Sequence, residues 1–136
     1  MDILTGKVST DMVRRMGAQQ SGSTSCVFCR IVGGEIPARR VHEDDEIIAF
    51  DDANPQAPVH TLVVPRIHIP TLNDLGPDHE ALVGRIIMVA KGVASTKGLA
   101  ERGYRLVWNC LAEAGQSVFH LHLHVLGGRS MGWPPG

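Results

Sequence analysis

With 136 residues the chain suffices for one compact domain and falls short of two ordinary ones. Its 43% hydrophobic and 20% charged residues, at a formal net charge of −1, exclude a disordered chain, and without a basic surplus no nucleic-acid polymer is expected as a partner. No apolar run approaches the ~20 residues that span a bilayer, and residues 1–20 lack the basic start and apolar run of a secretory signal, so no membrane is expected and the expected location is cytoplasmic.

Residues 1–25 read as an extension and residues 26–136 as the domain. In the extension, Ser9 or Thr10 can cap a short helix with Met12, Val13 and Met16 on one side, and Ser21-Gly22-Ser23-Thr24-Ser25 reads as a flexible joint. Residues 26–32 form a second short helix, stopped by Gly33-Gly34, after which Ile36-Pro37 forces extended chain. Strands are expected at 38–43, 46–51 and 61–65, where β-branched residues cluster between turn signals, with the proline-bearing loop 52–58 long enough to line a site. Leu82, Ile86, Val89 and Val93 recur at intervals of four, three and four, so one apolar stripe runs along a helix over 78–95 that stops at Gly98. Strands resume at 104–109 and 118–126, separated by a loop containing Gly115-Gln116-Ser117. The order gives an α+β domain: an antiparallel β-sheet meander with one long helix and a short N-terminal helix.

The three cysteines, Cys26, Cys29 and Cys110, cannot all pair within one chain, and a cytoplasmic protein keeps them reduced, so no disulfide framework is expected. Cys26-Val27-Phe28-Cys29 is a Cys-x2-Cys pair that needs two further ligands to close a tetrahedral zinc site, and such a pair near a helix start is often plain packing. Cys110 reads as a buried small side chain.

The strongest signal is Val118-Phe119-His120-Leu121-His122-Leu123-His124-Val125-Leu126. Side chains alternate faces along a strand, so His120, His122 and His124 share one face, about 6.5–7 Å apart, and Phe119, Leu121, Leu123 and Val125 share the other. One histidine in an apolar strand is ordinarily a hydrogen-bonded core residue. Three in register carry repeated desolvation costs and ask for a function. A three-histidine metal site and a catalytic constellation both answer that demand.

The run His-Leu-His-Leu-His-Val-Leu resembles the signature of the histidine triad (HIT) family at every position. The resemblance extends over about residues 26–136 and includes Phe50-Asp51-Asp52, Pro55-Gln56-Ala57-Pro58-Val59-His60, Gly115-Gln116-Ser117-Val118-Phe119 and Trp133-Pro134-Pro135-Gly136. The last two stretches look like the Hint branch, the purine nucleoside phosphoramidases, more than the dinucleoside-polyphosphate hydrolases.

The resemblance implies a HIT-like fold and a hydrolase that cleaves the P–N bond of purine nucleoside phosphoramidates through a nucleotidyl-histidine intermediate. A neutral imidazole attacks an anion-ringed phosphorus more readily than a carboxylate does, and histidine titrates near neutrality. By resemblance His122 is the nucleophile, with the backbone carbonyl of His120 expected to accept from its other ring nitrogen. His124 then donates to the phosphate oxygens, His60 orients the triad and Ser117 assists proton delivery. Gln116 and Ser117 stand within reach of the phosphoryl oxygens or departing amine, and backbone N–H groups around Gly115 to Val118 add to an anion cradle. Asp52, on its own a turn former, corresponds to the ribose-binding carboxylate. Asn109 corresponds to a contact at the sugar or phosphate end, and Phe28, Phe50, Ala53 and Leu62 to an apolar base slot.

Resemblance to bacterial members implies that His68 and His120 complete a structural zinc site with Cys26 and Cys29, a metal not required for the chemistry. It also implies a homodimer in which Trp133 of one subunit approaches the site of the other. The sequence departs from animal Hint proteins at Asp51 and Gly132, where those carry histidine. Hydrolysis of dinucleoside polyphosphates, and nucleotide binding by a scaffold protein with incidental catalysis, are the alternative functions.

Overall fold

The turn-separated apolar runs between residues 38 and 65 form three antiparallel strands, β1 (Arg40–Glu43), β2 (Ile47–Asp51) and β3 (Val59–Pro65), in a computed structural model that describes residues 25–136. The readings placed on residues 1–24 lie outside the described residues. Ahead of these strands stands a short helix, α1 (Val27–Val32). After them come a long helix, α2 (Glu80–Thr96), and two more strands, β4 (Tyr104–Trp108) and β5 (Leu123–Gly127).

All pairings are antiparallel, in the order β1-β2-β3-β5-β4. The meander therefore holds for β1 to β3. The chain then crosses by α2 to the far edge, and β5 returns between β3 and β4, at the centre of the remaining sheet.

The sheet has two faces with different loads. Ile47, Ala49, Val63, Leu123 and Val125 pack with Ile86, Ala90, Val93 and Ala94 of α2, and the half-buried Leu82 and Val89 complete the stripe read from the sequence. On the opposite face Ile48, Phe50, Leu62 and Val64 pack with Phe28, Cys29, Ile31 and Val32 of α1. Three layers result, and the face under α1 carries the histidines.

A single 3-10 turn over Pro77–His79 precedes α2, so the α-helix proper begins two residues later than its apolar period suggests. At its other end Gly98 takes φ +80°, with Gly98 N–H donating to Ser95 O (3.0 Å) and Leu99 N–H to Ala94 O (2.8 Å), the paired bonds of a Schellman stop. Lys97 beside this stop donates to both oxygens of Asp51 (2.9 and 3.2 Å), and Thr61 donates to Oδ1 (3.0 Å). Asp51, one of the departures noted above, thus ties the end of α2 to the sheet.

The histidine strand is shorter than its alternation suggests. The alternation predicts a strand over 118–126, whereas the β5 ladder starts at Leu123. The cause lies in its neighbour: β3 ends at Pro65, which has no N–H to extend the ladder, and Pro65 O accepts from the His120 side chain (2.8 Å). Leu121 N–H turns to Ile69 O instead (2.7 Å). The division of faces survives from Leu121 onward, since Leu121, Leu123 and Val125 belong to the α2 core, whereas Phe119 lies outside it and is 46% exposed.

Among the described residues no helix is long and apolar enough to cross a membrane. Ile86 is wholly buried between α2 and the sheet. Ile86→Ala should cost about 2–5 kcal/mol of stability, measured as a shift in the urea midpoint at constant slope; a cost below about 1 kcal/mol would contradict this packing.

Candidate active site

Four histidines meet on the α1 face. His124 lies in β5 opposite Leu62 of β3 and Val107 of β4, His60 lies in β3, and His120 and His122 lie in the segment that leads into β5. His122 is 8% exposed, its ring 5.0 Å from that of His124 and 5.0 Å from the edge-on ring of Phe28. The hydrogen bond anticipated from the sequence is present: His122 Nδ1–H donates to His120 O at 2.7 Å. With Nδ1 protonated, Nε2 keeps its lone pair. Burial lowers the His122 pKa despite the raising effect of the His120 carbonyl, so the ring is neutral at pH 7.

A second chain of bonds fixes the other two rings. Gln56 N–H donates to His60 Nδ1 (3.0 Å), which places the His60 proton on Nε2. That proton is donated to His124 Nδ1 (2.8 Å), so His124 carries its own proton on Nε2. Among the described residues His124 Nε2 is a buried side-chain polar atom without a partner. A buried N–H without an acceptor is costly, and a ligand oxygen would satisfy it. Asp52 Oδ2 lies 3.4 Å from His60 Nε2, while Asp52 Oδ1 accepts from Asn54 N–H (2.9 Å), so this carboxylate forms the turn and faces the histidines together.

The remaining candidates divide. Phe50 and Leu62 are partners in register and Phe28 meets Phe50 edge-on at 5.5 Å, giving one apolar surface beside His122 and His124. Ala53 is exposed in the loop after β2. Gly115, at φ +86°, and Ser117 are exposed, Val118 packs against the Phe28 cluster, and Asn109 is half-buried just past β4. Gln116 departs from its expected reach toward a phosphoryl group. Its Oε1 accepts from Leu111 N–H (2.8 Å) and its Nε2 donates to Pro70 O (2.9 Å) and Val118 O (3.1 Å), so the amide braces the loop. The braced residue, Leu111, sits at φ +70° and ψ −171°, a region natural to glycine, and sequence reasoning gives no sign of it. Cys110, expected to be buried, is half-buried in this loop.

Behind the triad, Cys26, Cys29, His68 and His120 bring four ligand atoms within 4.8 Å of one another. His120 Nδ1 is 3.4 Å from each sulfur, and His68 Nδ1 is 3.2 Å from Cys29 Sγ and 3.3 Å from His120 Nδ1. Tetrahedral zinc, with bonds of about 2.3 Å to sulfur and 2.0–2.1 Å to nitrogen, implies S···N edges of about 3.5 Å and N···N edges of about 3.3 Å. The four donors therefore fit such an ion. His120 Nε2 donates to Pro65 O, which leaves its Nδ1 lone pair facing the group. The Cys29 thiol hydrogen bond, against burial and with help from His120, holds the Cys26 pKa down, while donating to Cys26 and burial push Cys29 up. Zinc binds thiolates, so an ion held here would displace the thiol protons of this pair.

Burial, then the neighbouring His122 and His60, push the His124 pKa down to about 4 from 6.5, with Asp52 opposing. An unfolded chain binds more protons than the folded one between these values, so His124 makes stability fall as pH drops through that window and adds no further loss below it. In an NMR titration His124 should remain neutral at pH 5.5; protonation with a midpoint near 6.5 would contradict the buried relay.

The HIT domain family model matches residues 33–131. The chain is 48% identical over 106 residues to the Escherichia coli (strain K12) purine nucleoside phosphoramidase, covering 78% of this chain and 89% of that protein. A HIT family hydrolase from Legionella pneumophila Philadelphia 1 superposes with a TM-score of 0.80 at 53% identity, over 82% of this chain and 99% of that one. A Zn-bound histidine triad family protein from Mycobacterium smegmatis superposes at 0.68 with 39% identity, over 79% of this chain and 78% of that one. A signature segment whose histidines all face α1, a matched domain and relatives at this identity lead to one conclusion: the chain belongs to the HIT domain family and is a HIT family hydrolase.

Proposed function

We propose that the protein hydrolyses the P–N bond of purine nucleoside 5′-phosphoramidates. The observation that carries this reading is the pairing of a free lone pair with a free proton: His122 Nε2 is left unprotonated by the bond to His120 O, and beside it His124 Nε2–H has no partner among the described residues. His122 Nε2 attacks phosphorus and forms a nucleotidyl-histidine as the P–N bond breaks. The departing amine takes up a proton, for which the exposed Ser117 hydroxyl is the candidate route. Water then attacks the intermediate, returning His122 and releasing the nucleoside monophosphate. His124 Nε2–H stabilises the phosphoryl oxygens through both steps. His60 and the Gln56 amide keep that donor in the correct tautomer.

Asp52 is assigned to the ribose hydroxyls, and Phe28, Phe50, Leu62 and the exposed Ala53 to the purine. Asn109 and the backbone of Ser117 and Val118 are assigned to the phosphate, since the N–H groups of Gly115 and Gln116 already donate to Ala112 O and Leu111 O. Likeness to the E. coli purine nucleoside phosphoramidase supports the purine phosphoramidate class. We assign structural zinc to Cys26, Cys29, His68 and His120, a reading supported by the Zn-bound M. smegmatis neighbour. When bound, the ion supplies a cross-link between α1, the loop after β3 and the triad segment, and takes no part in bond cleavage. The exposed edge of β4, with Trp133 (83% exposed) lying 6.0 Å from Arg105 of that strand, is the surface we assign to a homodimer. Three reduced cysteines suit a cytoplasmic setting.

Adenosine 5′-phosphoramidate should be turned over by the parent, and His122→Ala should lower kcat/KM by about a thousandfold or more. Unchanged turnover in His122→Ala would end this reading. Cleavage of diadenosine polyphosphates alone would favour the other hydrolase branch, and nucleotide binding without turnover would favour a scaffold.

A further inference from the structure

We infer that the Cys26, Cys29, His68 and His120 centre acts as a positioning clamp on the nucleophile, with His120 joining the two sites. The inference rests on the reading of His122 as the attacking group.

The argument begins where the sheet ends. His122 lies one residue before the β5 ladder, so the regular cross-strand bonds that hold His124 and His60 do not extend to it. Its position depends on other attachments, and three of them lead to the metal-ligating group. The first is His120 itself, wholly buried, whose carbonyl accepts from His122 Nδ1 at 2.7 Å while its ring nitrogens are divided between Pro65 O and the centre. The second is Phe28, held between the two cysteine ligands on α1, whose ring meets His122 at 5.0 Å and 87° and His120 at 6.0 Å and 72°. The third is the loop after β3. It supplies His68 as a ligand, and its next residue, Ile69, accepts from Leu121 N–H at 2.7 Å, fixing the His120–Leu121 peptide whose carbonyl accepts from His122 Nδ1.

One ion bound by these four residues would draw together all three supports of the His122 ring. Residues that orient a reactive group through another typically affect rate by about 10–100-fold when lost, as outer-shell partners of metal ligands do. Of the surfaces assigned to the base, Phe50 and Leu62 belong to regular strands and stay in place, and Phe28 is the one shared with the clamp. The clamp should therefore govern kcat more than nucleotide affinity.

The test compares the full chain loaded with Zn2+, stripped by a chelator and reloaded, alongside His68→Ala, which removes a ligand outside the nucleotide site. In the loaded protein, long-range 1H–15N NMR should show His122 as a single tautomer with a slowly exchanging Nδ1–H, at about one zinc per chain. In the stripped protein and in His68→Ala this signal should broaden or disappear, and kcat on adenosine 5′-phosphoramidate should fall about 10–100-fold while KM changes by less than about threefold. Reloading should restore the stripped protein and not the variant.

A stripped chain that keeps both the His122 signal and full kcat would overturn the clamp, as would failure to bind zinc. Loss of the sheet's circular dichroism on stripping would also overturn it, since the ion would then serve the whole fold. A loaded protein with no turnover, whose His122 signal still follows the metal, would sink the phosphoramidase reading and leave the clamp standing.

Discussion

A single short hydrogen bond, from His122 Nδ1–H to the carbonyl two residues upstream, decides what the site can do. Imidazole has two nitrogens of similar basicity, and a nucleophile is useful only when the correct one is free. The His120 carbonyl makes that choice in the backbone, without another titratable group. The same logic recurs in the neighbouring rings, where the Gln56 amide sets His60 and His60 sets His124. A lone pair and an N–H donor are thereby presented side by side, and both tautomers trace back to main-chain atoms.

The layered fold serves this arrangement by dividing labour between the faces of one sheet. The α2 face is apolar and closely packed, with Ile86, Val63, Leu123 and Val125 wholly buried, and it anchors the strands. The α1 face accepts the polar cost of four histidines because six of their eight ring nitrogens have a named partner. The other two, His122 Nε2 and His124 Nε2, are the atoms that our reading aims at phosphorus and at the phosphate oxygens. Strain gathers in the same region: Leu111 holds a glycine-like conformation under the brace of Gln116, in the loop that also carries Ser117.

Much of this was legible in the residues. The period-two run of histidines and aliphatics determines which side chains face α2 and which face α1, and the spacing of Leu82, Ile86, Val89 and Val93 identifies the helix that covers the sheet. What was not legible depends on partners distant in sequence or on atoms that every residue has. Alternation alone cannot show that the ladder stops at Leu123, because the stop comes from Pro65 on another strand. Return of β5 between β3 and β4 is a matter of topology, which local pattern does not encode. The Gln56 N–H that sets His60 is a backbone group, invisible in side-chain identity. Gln116 looks like a ligand contact because its amide is versatile, and only the fold shows that amide occupied by Leu111, Pro70 and Val118.

The central claim is that phosphorus becomes bonded to His122 during turnover. Acid-free rapid quenching of the parent protein with adenosine 5′-phosphoramidate, followed by peptide mass spectrometry, reads this directly. An adenylyl adduct on His122 that appears and decays within the turnover time is the predicted result; steady turnover with the adduct on a different residue, or with none at any time, would contradict the account.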